Sequence, residues 1–132
     1  MKRLSIKQAA EQTGLSQYTI RYYTDQGLVP SIQRGPNNER LFDQQSINWL
    51  LGDHALRKTG MSIKNLKRYV QLCLDGDATI NTRAEIIEQQ LAIGRQKVRE
   101  AQQQVEHLEA KLAKYHQTMA DHNDDSYNPK NW

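Results

Sequence analysis

Gln17, Tyr18, Arg21 and Tyr22 lie in the stretch Ser16–Gly27. At helical spacing they share an outward face. That set suits a polyanion, because Arg forks onto phosphate or guanine while Tyr and Gln donate to phosphates or base edges. The same residues also fit an ordinary surface helix with a partly buried aromatic pair. The stretch carries its own start and stop. The Ser16 hydroxyl can accept an otherwise orphan backbone N–H at an N-cap, and Gly27 lets the chain turn left-handed beyond the last turn. Ile20 and Tyr23, three apart, face inward and would hold the outward face in place.

The elements on either side complete a positioning frame. Ser5 and Gln8 form a capping-box pattern, followed by the narrow apolar face Ile6, Ala9 and Ala10 and by Gly14. Two short helices across a tight turn read as a helix-turn-helix. After Leu28-Val29-Pro30, Gln33–Phe42 reads as a hairpin whose centre is rich in Gly, Pro and Asn and whose arms carry Arg34 and Arg40. A two-stranded hairpin is marginal alone, so Leu28, Val29, Leu41 and Phe42 are expected to pin it to the helices. Such a wing suits a flanking phosphate backbone, or is a plain solvated loop. Asp43 caps a third helix ending near Thr59, with Ile47, Leu50, Leu51 and Ala55 expected inward. Ser62 caps a fourth, with Ile63, Leu66, Val70 and Leu74 on one side and Lys64, Lys67 and Arg68 on the other. Gly76 closes it.

Thr82 and Glu85 form a second capping box, from which a long helix is expected. Ile87, Leu91, Gly94, Val98, Ala101, Val105, Leu108, Leu112, Tyr115 and Met119 recur in steps of four and three, an a/d heptad seam. A helix of this extent is roughly 50–55 Å long. Its stripe needs a partner, and a second copy is the simplest one. Leu91, Val98, Val105, Leu108, Leu112 and Tyr115 are the expected dimer contacts. Asp121–Trp132 reads as a polar, mostly disordered tail in which Tyr127 and Trp132 could dock. His116 and His122 with Asp121, Asp124 and Asp125 match no defensible ligand set, so no metal and no cofactor are expected.

Residues 1–75 hold 11 Lys and Arg against 6 Asp and Glu, and residues 76–132 hold 7 against 9. The basic front half points to polyanion binding there. The hydrophobic share of 37% is low for a full globular core of this length, as an extended helix burying one stripe would produce. One cysteine, Cys73, excludes an internal disulfide framework and a Cys-rich metal site. It reads as a buried packing residue on the fourth helix. No apolar run reaches membrane-span length and no secretory leader is visible, so a soluble cytoplasmic protein is expected. No activated nucleophile, phosphate loop or metal cluster suggests an enzyme.

The order of parts resembles the MerR family of bacterial transcription regulators. The resemblance rests on Thr19-Ile20-Arg21-Tyr22-Tyr23, Gly27-Leu28-Val29-Pro30, Arg40-Leu41-Phe42-Asp43 and Thr59-Gly60-Met61-Ser62-Ile63-Lys64, and spans about residues 3–115. It implies a homodimer through an antiparallel coiled coil of the last helix. The second helix would enter a major groove, with the wing on the flanking backbone. By family likeness Arg21, Tyr22 and Tyr23 contact DNA, and Arg40 and Lys64 grip phosphate. Tyr23 is thus assigned outward by the resemblance and inward by periodicity. The family distorts promoters for RNA polymerase, often on binding an inducer. Metal-sensing members carry cysteines around the long helix that are missing here, and drug-sensing members carry a further domain. Electrophile-sensing members have a cysteine where this chain has Ala55.

The expectation is therefore an all-α protein: a winged helix-turn-helix domain over residues 1–76, a dimerising helix over 82–119 and a polar tail over 120–132. It would bind double-stranded promoter DNA through Gln17, Tyr18, Thr19, Arg21, Tyr22, Tyr23, Arg34, Arg40, Lys64 and Lys67, as a regulator answering a stress or small-molecule signal. Two rival readings are an architectural DNA-binding protein without an inducer and a coiled-coil interaction adaptor.

Overall fold

The computed structural model describes residues 2–121 and 125–132. In chain order it contains α1 (Ile6–Thr13), α2 (Gln17–Asp25), β1 (Gln33–Arg34), β2 (Arg40–Leu41), α3 (Gln44–Lys58), α4 (Ile63–Asp75) and α5 (Ile80–Asp121). Short 3₁₀ turns occupy Asp77–Thr79 and Pro129–Asn131. No helix among the described residues is long and apolar enough to cross a membrane.

The helix starts follow the hydroxyl and carboxylate caps. Ser5 and Gln8 complete a capping box. The Ser16 hydroxyl accepts the Thr19 amide at 3.0 Å, the Asp43 carboxylate accepts the Ser46 amide at 2.8 Å, and the Ser62 hydroxyl accepts the Asn65 amide at 3.1 Å. The Ser46 amide, and then its hydroxyl, hold the Asp43 carboxyl below the usual carboxylate range. Gly14 and Gly27, which bracket α2, both sit at φ +75°, and a Cβ at either position would meet nothing within 4 Å. The left-handed turn, and not crowding, is what requires glycine there.

The core joins Ala9 of α1, Ile20 and Tyr23 of α2, Leu28 and Val29, Phe42, Ile47 and Leu50 of α3, Met61, Leu66 and Val70 of α4, and Ile86 of α5. Strands β1 and β2 pair antiparallel, Gln33 with Leu41 and Arg34 with Arg40. Leu4 adds a bridge to Phe42, with backbone N–H···O distances of 2.7 and 2.8 Å in the two directions. The hairpin is therefore pinned by Leu28, Val29 and Phe42, which are buried, while Leu41 is only half-buried.

Three features of the core differ from expectation. On α3 the inward stripe is Ser46, Ile47, Leu50 and Asp53, whereas Leu51 is 47% exposed and Ala55 is also exposed. The helix is turned so that a serine and an aspartate face inward. Ser46 is anchored by its own hydroxyl, 2.7 Å from that of Ser31 and 3.0 Å from Asp43 Oδ1. On α4, Leu74 is exposed and Cys73 is half-buried beside Tyr69, not buried. The last helix begins at Ile80, two residues before the Thr82 box. Thr79 links the preceding turn to it: its hydroxyl donates toward the carbonyls of Leu72 and Gly76 and accepts from Arg83 Nε at 3.0 Å.

Contacts divide the chain into residues 1–90 and 91–132, the division falling within α5. In the second unit residues 125–132 carry their own bonds, and Tyr127 and Trp132 are engaged, where the sequence alone reads as a mostly disordered tail. Trp132 Nε1 donates to the Ser126 carbonyl at 2.8 Å, Asn131 Nδ2 donates to the Asp125 carbonyl at 2.7 Å, and Lys114 Nζ lies 5.4 Å from the centre of the Tyr127 ring. His122 and Asp124, weighed as metal ligands, lie outside the described residues. Among the described residues no group of His, Cys, Asp and Glu could hold a metal.

Asp53 is 3% exposed, and its Oδ2 has no hydrogen-bond partner among the described residues. Burial pushes its pKa up from 3.8 to about 7. Between those values the folded state binds more protons than the unfolded chain, so stability falls as pH rises through the window. Asp53→Asn keeps the shape and removes the ionisation. Its unfolding free energy is expected to match the parent's near pH 4 and to exceed it at about pH 8, by up to about 4 kcal/mol at roughly 1.4 kcal/mol per pH unit of the window. Urea titrations at the two pH values measure this, and parallel profiles for the two proteins would refute it.

Candidate nucleic-acid interface

Helix α2 has the two faces its periodicity requires. Ile20 and Tyr23 are buried, Tyr18 is 76% exposed, Tyr22 is 38% exposed and Arg21 is exposed. Gln17 and Thr19 are half-buried. The Thr19 hydroxyl is occupied by the cap, 2.9 Å from the Ser16 hydroxyl. Tyr22 and Tyr23 stand with ring centres 6.2 Å apart, tilted by 49°. The Tyr23 ring is inward, as periodicity reads it, and its hydroxyl lies 3.4 Å from His54 Nδ1 on α3. Burial raises the Tyr23 phenol above its ordinary value, opposed by the nearby Arg57 charge.

The wing is tied to α2 by a side chain that the family resemblance places on phosphate. Arg40 Nε donates to the Thr24 hydroxyl at 3.0 Å, and Arg40 Nη2 pairs with Asp25 Oδ1 at 2.8 Å. The Thr24 hydroxyl in turn donates to the Arg21 carbonyl at 2.8 Å. A guanidinium shared between the wing and the last turn of α2 fixes the distance between the two. An exposed pair of this kind adds about 0–1 kcal/mol, so orientation is its larger effect. Sequence reasoning misses Thr24 and Asp25. The available signal is a carboxylate and a hydroxyl together in the last turn of α2, where an acid opposes the helix dipole unless a cation offsets it. Arg34 Nη1 donates to the Asn38 carbonyl at 3.0 Å, across the wing tip.

Lys64 lies in the first turn of α4 and Lys67 one turn later, both exposed. Among the described residues, Arg40–Asp25 is the salt bridge found. Within that set the charges of Arg21, Lys64 and Lys67 are therefore not neutralised by an internal carboxylate, which leaves them available to an external anion.

In the second unit the seam positions stand in solvent. Leu91 is 49% exposed, Val98 69%, Val105 45%, Leu108 63% and Leu112 54%. Tyr115 is half-buried.

Residues 4–73 match the model of the MerR HTH family regulatory proteins. An uncharacterised HTH-type transcriptional regulator of Haemophilus influenzae is 36% identical over 85% of this chain and 83% of its own length. A MerR family transcriptional regulator from Listeria monocytogenes superposes with a TM-score of 0.80 at 32% identity, covering 89% of each chain. HiNmlR, a MerR family regulator lacking the sensor domain, was solved bound to promoter DNA. It superposes with a TM-score of 0.75 at 34% identity, over 90% of this chain and 94% of that one. The matched segment contains both helices of the helix-turn-helix, the wing and Lys64, and the chain belongs to the MerR family of helix-turn-helix transcriptional regulators, proteins that bind promoter DNA.

Proposed function

We propose that the chain acts as a homodimer on an inverted repeat in promoter DNA, with α2 of each protomer in a major groove. The observation that carries this is the outward Tyr18–Arg21–Tyr22 face of α2, left without an internal counter-charge among the described residues and standing beside an anchored wing. Arg21 forks onto phosphate or a guanine edge, and Gln17, Tyr18 and Tyr22 donate around it. Lys64 and Lys67 add phosphate contacts from α4. Arg34 at the wing reaches the flanking backbone. Arg40 acts as a positioning residue, holding the wing to α2 through Thr24 and Asp25. Tyr23 supports the same face from beneath.

The apolar stripe from Leu91 to Tyr115 supports the dimer. Exposed leucines and valines at heptad spacing lose most of their contact with water when two such helices pair. Pairing them antiparallel places the two reading helices apart by a set distance, about 34–36 Å for half-sites one turn apart. A rigid spacing imposed on duplex DNA draws on its deformability, a means of altering promoter geometry for RNA polymerase in the cytoplasm.

Two measurements test the reading. Capture of sheared genomic DNA by the purified protein, followed by sequencing, is expected to return one or a few inverted repeats inside promoters. Diffuse recovery would favour an architectural role, and no recovery at low salt an interaction adaptor. With an operator in hand, Lys64→Ala is expected to shrink the log–log salt slope by about 1.8, at roughly 0.9 per phosphate and two protomers. Arg40→Ala is expected to weaken binding with a smaller change of slope, because it removes an anchor and not a phosphate contact. An unchanged slope for Lys64→Ala would take that residue out of the footprint.

The dimer is tested separately. Leu108→Asp places a charge in the seam and is expected to shift the protein to monomer in sedimentation velocity and lower operator affinity at least tenfold. Its residues 1–90 should stay folded by amide exchange. A variant that still sediments as a dimer would exclude the seam.

A further inference from the structure

Helix α3 has a glycine in its middle. Gly52 lies well inside Gln44–Lys58, where glycine weakens a helix relative to alanine. A Cβ at that position would meet nothing within 4 Å, so the packing of this chain does not demand it. Glycine in such a place commonly marks the close approach of something else.

The open space beside it is a cavity of about 300 Å³ lined by Trp49, Gly52, Asp53, Ala55, Leu56 and Tyr69. Its walls are largely apolar, and α3 and α4 each contribute an aromatic ring. Asp53 is one of the lining residues; the residue is 3% exposed, and its Oδ2 is buried with no partner among the described residues. A buried acceptor in this condition is costly unless something donates to it. The cations nearby are engaged elsewhere. The Arg57 guanidinium donates to the Met61 carbonyl, and Arg83 is held by Thr79 and Gly76. His54 Nδ1 faces the Tyr23 hydroxyl from α2, and the Tyr69 phenol sits beside Cys73 on α4.

We propose that this cavity is a binding site for a small apolar amine, its ammonium donating to Asp53 and its body lying against Trp49, Leu56 and Tyr69. The aromatic rings suit a cation as well as an apolar body. The volume equals that of about ten waters at roughly 30 Å³ each, room for a compact amine. The lining lies on α3 and α4, and the Asp53 charge is also felt by Tyr23 on the buried side of α2. That gives the amine a route to the DNA-reading face. This regulatory consequence rests on the functional reading above, whereas the binding itself does not.

The test uses the purified full chain in calorimetric titrations near pH 8 with 2-phenylethylamine and its neutral twin 2-phenylethanol. The wild type is expected to bind the amine at least tenfold more tightly than the alcohol. Asp53→Asn is expected to abolish that preference. Gly52→Leu fills the cavity and is expected to exclude both compounds while the protein melts as cooperatively as the parent. Equal affinities for the two compounds, no heat from either, or a preference that survives Asp53→Asn would each overturn the proposal. If instead neither compound binds and both substitutions weaken self-association, a second copy occupies the cavity and the proposal falls. Operator affinity is read in a separate assay with and without the amine. Absence of any DNA binding would defeat the functional reading and leave the calorimetric result standing.

Discussion

What α2 shows to the outside depends on what it buries. The helix is nine residues long, too short to hold its form in water on its own. Its stability comes from Ile20 and Tyr23, which sink into the core among Ala9, Leu28 and Phe42. Every rotation of α2 about its axis that would move Arg21 or Tyr22 must first unseat that pair. The tie from Arg40 to Thr24 and Asp25 further restrains this helix against the wing. The outward face of α2 is thus held in place from its buried side and from the wing.

Much of this is legible in the sequence because it is local. Ser5, Ser16, Asp43 and Ser62 cap their helices through bonds to residues three positions on, and spacing alone reveals such bonds. The inward and outward faces of α2 follow from the same periodicity. The heptad stripe of the last helix is repeated often enough that polar neighbours do not hide it.

What the sequence conceals depends on long-range partners. The internal partners of Arg40 are a hydroxyl and a carboxylate 16 and 15 residues away, and an arginine on a wing reads equally well as a phosphate ligand. The inward face of α3 includes Ser46 and Asp53, so a pattern built on apolar residues turns that helix toward Leu51 and Ala55. Cys73 reads as a buried packing residue because free cysteine packs as a small hydrophobe, yet near the end of α4 its burial is only partial. The last residues read as disordered from their polarity. Over residues 125–132, Tyr127 and Trp132, the two side chains the sequence leaves able to dock, make the ring contact to Lys114 and the bond to the Ser126 carbonyl.

The two tryptophans are distributed one to each unit. Trp49 is half-buried on α3, and Trp132 is 83% exposed at the end of the chain. Indole emission shifts to the blue as its surroundings become apolar, so the protein carries two intrinsic optical labels of different colour. One reports on the first unit and the other on the second, and replacing either with phenylalanine would let the loosening of each unit be followed alone, without attaching a dye.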